Sequence, residues 1–211
     1  MLVADCTSAR SIVAFKHDED KVRRCTRARA RARRASPAPT PSRLPSLTPR
    51  PAQIRTLDSH KLAAAAGPQA DCSGFVEFIQ RNVALNAYRT GLPLSTASTA
   101  SFIKTKLAEA LRKNPYQVNL LVGGFDKDAG ASLYYIDYLG ALAKMPFAAH
   151  GYAAYFLFST MDSAWKPGMT EAEGLALVRV CIAELAKRFT LHQPHFVVKV
   201  ADKDGTRVVA L

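Results

Sequence analysis

The sequence predicts an α/β chain of four layers, α/β/β/α, with two antiparallel sheets face to face and helices outside. Three observations predict it. Strand-like and helix-like runs alternate in blocks rather than singly. The helical runs come as consecutive pairs, over 71–113 and 153–188. The strand runs are joined by short turns of Asp, Lys and Gly, which make antiparallel hairpins. The 211 residues, 48% of them hydrophobic, suffice for one or two compact domains with a sizeable core.

The elements follow in order. Leu2 to Asp5 and Ser11 to Phe15 are short strand-like runs, and Lys61 to Ala66 is a weaker apolar one. From Asp71 to Arg89, apolar residues at Phe75, Val76, Phe78, Ile79, Val83 and Leu85 give an amphipathic helix, with Asp71 as N-cap. Ser95 caps a second helix to Lys113, with Phe102, Ile103, Leu107, Ala110 and Leu111 on one side and Pro115 past its end. The period then changes. Gln117 to Phe125 reads as a strand buried on both faces, 126–130 as a turn, and Ser132 to Tyr138 as its hairpin partner. Leu139 to Lys144 is a further short strand, and Ala153 to Ser163 an apolar helix. Thr170 and Glu173 form a capping box for a helix to Arg188, whose buried stripe is Leu175, Leu177, Val178, Cys181, Ile182, Leu185 and Phe189. His195 to Ala201 and Thr206 to Val209 close the chain as a hairpin around Asp202-Lys-Asp-Gly205.

One segment breaks this pattern. The net charge of +12 invites a nucleic-acid reading, but residues 22–53 hold nine arginines, no lysine and no acid, which leaves only +3 for the rest. The same segment has six of the twelve prolines and no aromatic residue. It cannot bury enough surface to offset its ordering entropy, so disorder is expected there. The domain expectation is therefore 1–21 as the start of a globular domain, 22–53 as an Arg/Pro-rich insert and 54–211 as the remainder. The insert reads as a basic binding arm, a solvated linker or an unspliced intron. The intron reading is preferred: the segment opens on Val, whose codons begin GT, and closes on Gln, which CAG encodes, and its 32 codons keep the frame.

Other function classes fall away. No run of eighteen apolar residues spans a membrane, and the N-terminus has no secretory signal pattern. Cys6, Cys25, Cys72 and Cys181 form no CxxC pair and read as reduced thiols of a cytosolic or nuclear protein. His192 and His195 have a metal-clamp spacing, but no carboxylate or cysteine is near enough in sequence to complete a set. Gly123-Gly124 precedes a hairpin rather than a helix, so it reads as crowded strand rather than phosphate loop. Asp126-x-Asp128-x-Gly130 reads as a turn rather than a calcium loop. Cys72 and Cys181 read as buried structural thiols. No cofactor and no metal are expected.

Longer stretches carry a resemblance. Phe75-Val-Glu-Phe-Ile-Gln-Arg-Asn82, Pro115-Tyr-Gln-Val-Asn-Leu-Leu-Val-Gly-Gly-Phe-Asp126, Leu133-Tyr-Tyr-Ile-Asp-Tyr-Leu-Gly140, Pro146-Phe-Ala-Ala-His-Gly-Tyr152 and Asp202-Lys-Asp-Gly-Thr-Arg207 resemble the proteasome beta-subunit family. Within it they are most similar to the non-catalytic beta type-2 branch, at the fourth position of the beta ring. The resemblance runs from about Ile54 to Val209 and over 2–21, and is interrupted by the insert.

That resemblance implies the N-terminal nucleophile hydrolase sandwich, with its first strand missing from this sequence. It also implies partners: other alpha and beta subunits in a particle of stacked heptameric rings, and unfolded polypeptides passing through it. Neither a membrane nor nucleic acid is an expected partner, and the implied location is cytoplasm and nucleus. Catalytic members use an N-terminal threonine, released by cleavage of a Gly-Thr bond, with a lysine and an aspartate beside it. Here the one Gly-Thr pair is Gly205-Thr206, and Thr7 follows Cys6. Lys21 falls near the catalytic lysine, and Asp5 near the catalytic aspartate with the following segment one residue short. The family's Arg-Asp-x-x-Ser-Gly-Gly run is replaced by Lys187-Arg188-Phe189-Thr190-Leu191-His192. No catalytic residue is therefore expected, and Lys21 reads as a remnant. The expected role is a structural subunit serving ubiquitin-dependent degradation. The alternatives are an active threonine peptidase, or a variant whose Arg-rich arm binds nucleic acid.

Overall fold

The computed structural model describes residues 2–5, 54–190 and 196–210. The strands are β1 (Leu2–Asp5), β2 (Ile54–Asp58), β3 (Lys61–Ala66), β4 (Asn119–Asp126), β5 (Gly130–Ile136), β6 (Leu142–Lys144), β7 (Phe196–Asp202) and β8 (Gly205–Val209). The helices are α1 (Gln69–Thr90), α2 (Thr96–Leu111), α3 (Ala153–Ala164) and α4 (Glu171–Arg188). Residues 6–53, which include the insert and the expected strand over 11–15, lie outside the described residues.

Period-2 alternation makes two faces on the five-stranded antiparallel sheet β2-β3-β4-β5-β6. One face carries Ala63, Leu120, Val122 and Ile136 and packs on Phe75, Val76, Ile79 and Val83 of α1 and Ala100, Ile103 and Leu107 of α2. The other carries Leu62, Leu121, Leu133 and Tyr135. It turns toward the three-stranded sheet β1-β7-β8, where Ala201 of β7 packs against that cluster. β4 has hydrophobic contact on both sides, which is why its sequence is a continuous apolar run. Helices α3 and α4 pack as a pair, and Arg207 of β8 reaches Glu171 at the start of α4. The four-layer α/β/β/α order expected from the sequence is the architecture observed.

Several local expectations need correction. Asp71 is not the N-cap of α1: the cap is Pro68, and the Asp71 carboxylate accepts the Gln117 N–H. Ser95 does cap α2, its hydroxyl accepting the Ser98 N–H at 3.0 Å. The strand expected over 139–144 shrinks to β6, because Asp137 accepts the N–H groups of Leu139 and Ala141 and bends that stretch into a turn. The capping box of α4 is complete, but only Cys181 and Leu185 of its apolar stripe are buried. No strand was expected over β2. Its buried residues, Ile54 and Leu57, are three apart because the register slips between Thr56 and Asp58, so the strand shows no alternation in sequence.

Candidate functional site

The nucleophile chemistry that the resemblance implies for catalytic members needs a free amine and hydroxyl on one threonine. Thr206 stands opposite Ala201 in the β7–β8 ladder, one residue past the Gly205 turn, where φ is +123°. The turn is tied by the Asp204 N–H to Asp202 and by Arg207, which pairs with both Asp202 and Glu171. Arg207 beside Asp202 holds that carboxyl below its ordinary value. Releasing Thr206 would cut this hairpin. Asp5 lies in β1 opposite Phe196. Lys21, Thr7, His192 and His195 lie outside the described residues.

The described residues do gather one polar knot, under the N-terminus of α2. Asp126, the last residue of β4, accepts the Thr96 N–H through both carboxylate oxygens, at 3.0 and 2.9 Å. It thereby satisfies the first N–H of α2, alongside the Ser95 cap, and complements the positive end of the helix. Gly124 faces Lys61 in the β3–β4 ladder. A Cβ on Gly124 would stand 2.5 Å from Thr96 Oγ1 and 2.9 Å from Lys61 Cγ. The crowded-strand reading of Gly123-Gly124 thus holds at Gly124, and its cause is close approach of the helix. Lys61 is 3% exposed and donates to Asp58 at 2.6 Å, while Thr96 Oγ1 is buried without a partner. The sequence reading missed this pair because Lys61 opens an apolar run and Asp58 closes a strand it did not see. A Lys three residues after an Asp across a tight turn was the available signal.

A second missed feature is His150. Its Nε2 is 3.0 Å from the Leu120 carbonyl and its ring stacks on Tyr135 at 4.2 Å. Burial pushes the imidazole below its ordinary value, against opposing influences from the Leu120 carbonyl and Asp137. The ring fastens the segment before α3 to the large sheet. Among the described residues, two thiols are held toward the protonated form: burial, with Asp71 nearby, raises Cys72 to about 11, and burial raises Cys181. Among the described residues, no three of His, Cys, Asp and Glu come together as metal ligands. No helix among them is long and apolar enough to cross a membrane.

Comparison with known proteins gives one consistent answer. The family described as proteasome subunit matches residues 44–201. The proteasome subunit beta type-2-B of Arabidopsis thaliana is 52% identical over 155 residues, covering 74% of this chain and 78% of the relative. The proteasome subunit beta type-2 of Oryza sativa is 40% identical over 210 residues, covering 100% of this chain and 84% of the relative. The proteasome subunit beta type-4 of Saccharomyces cerevisiae is 42% identical over 159 residues, covering 74% and 80%.

Proposed function

The chain belongs to the proteasome subunit family, and from that premise we propose that it is a structural, non-catalytic beta subunit of the 20S core particle, of the beta type-2 kind. The observation that carries this reading is the set of relatives named beta type-2, at 52% identity over 74% of this chain and 40% identity over 100% of it. The subunit completes the beta ring and walls the chamber, while other subunits supply the nucleophiles for ubiquitin-dependent degradation. Its partners are the other alpha and beta subunits, its traffic is unfolded polypeptide, and its compartments are cytoplasm and nucleus.

Two features of the chain support a structural role. The one Gly-Thr pair sits inside the β7–β8 hairpin, so no cleavage there yields a threonine nucleophile on an intact fold. Large apolar side chains also stand exposed on the helices: Tyr88 of α1 at 89% and Tyr155 of α3 at 78%, with Leu92 just past α1 at 70%. Exposed apolar side chains of that size are available for contact with other subunits. The test is native mass spectrometry of tagged chain recovered from eukaryotic cells. Recovery in a particle with alpha and beta subunits is expected, and recovery only as free chain would refute the reading.

A further inference from the structure

We infer that residues 22–53 are no part of the working protein, and that Lys21 is followed directly by Ile54 in the chain that folds. The inference stands on the fold and does not depend on the subunit reading. The domain resumes in full at Ile54: that residue is 1% exposed, belongs to the cluster between the sheets, and pairs with Ala64 of β3. Its carbonyl accepts the ammonium of Lys199, 3.0 Å away on β7. The register of β2 is therefore fixed from β3 and from the small sheet.

Removing 32 residues also leaves a connection that closes. Residues 6–21 remain between β1 and β2, sixteen in all. Sixteen residues reach ~50 Å when extended. A domain of about 180 residues has a radius of gyration of ~16 Å and is ~40 Å across. No separation of the two strand ends within such a domain exceeds the shorter connection. What is removed carries nine arginines and six prolines, no aromatic residue and no acid, and its only large apolar side chains are Val22, Leu44 and Leu47, so it offers the core little to bury. It opens on Val and closes on Gln with its frame kept, as an intron read through would.

The chain supplies its own diagnostic. No lysine lies between Lys21 and Lys61. An endoproteinase that cuts after lysine therefore releases Val22–Lys61 from the full sequence, and the eight-residue peptide Ile54–Lys61 from the joined one. Protein purified from the source cells is digested and both peptides sought by mass spectrometry, with synthetic standards of each. Ile54–Lys61 is expected, and finding Val22–Lys61 overturns the inference. In parallel, the full chain and a variant lacking 22–53 are purified and melted. The deletion is expected to unfold at the same or a higher temperature. Failure of the deletion to fold while the full chain does, or a fall in Tm of ~5 °C or more, overturns the inference as well.

Discussion

Asp126 closes strand β4 and, with the same carboxylate, caps helix α2 by accepting the Thr96 N–H through both oxygens at 3.0 and 2.9 Å. The Asp126 side chain thus ties the start of the helix, whose N-cap is Ser95, to the sheet it packs on. A carboxylate there also complements the positive end of the helix. Asp126→Ala should lower stability by about 1–2 kcal/mol, and Asp126→Asn by less, since an amide oxygen still accepts. Urea unfolding of the three proteins checks this. Equal losses for Ala and Asn would mean that charge rather than acceptance fixes the helix.

Gly124 lies directly beneath that helix start, and the space above it is taken by Thr96 Oγ1 and Lys61 Cγ. Gly124→Ala should cost about 1–3 kcal/mol through overpacking. Thr96→Ala should cost little, because the hydroxyl it removes is buried without a partner. The two changes should not add: Ala at 96 vacates the space that Ala at 124 needs, so the double variant should be more stable than the sum of the single losses. A double-mutant cycle by chemical denaturation measures the difference. Strict additivity would show that the crowding falls on Lys61 instead.

The parts of the fold legible in sequence were those where one rule acted alone. The capping box at Thr170 and Glu173, the Ser95 cap and the hairpin turn at Gly205 are local chemistry, and all three stand as read. What was not legible depended on two segments at once. Asp71 has the composition of a cap, but Gln117, 46 residues on, takes its carboxylate. β2 is hidden because a bulge sets its two buried residues out of phase. Lys61 looks like the polar end of a strand until Asp58, Thr96 and Gly124 are brought around it. The stripe on α4 is covered only at Cys181 and Leu185, and α3 beside it buries none of its own residues.

His150 gives the fold a pH dependence with a definite sign. Its folded pKa is depressed below the ordinary imidazole value, burial being the chief cause. The neutral ring's contribution is therefore complete above the unfolded value and is lost as pH falls through and below it. Thermal unfolding of the wild type should drop between pH 7.5 and 5 more steeply than that of His150→Gln, which carries no titrating group there. The same slope in both proteins would show that the acid sensitivity lies elsewhere.

The last prediction concerns chemistry. Thr206 is committed to the β7–β8 ladder opposite Ala201, and its neighbour Arg207 anchors the turn to Asp202 and Glu171. If the chain supplied a nucleophile from its one Gly-Thr pair, Thr206→Ala would abolish that activity. A structural subunit predicts the opposite: particles carrying Thr206→Ala should hydrolyse fluorogenic peptides at the wild-type rate for every substrate class. Lys21→Ala should behave the same way, since a remnant lysine activates nothing. Thr206→Val keeps the β-branch without the hydroxyl and separates a packing defect from a chemical one. Loss of one peptidase specificity in Thr206→Ala and Thr206→Val alike, in fully assembled particles, would make this subunit catalytic.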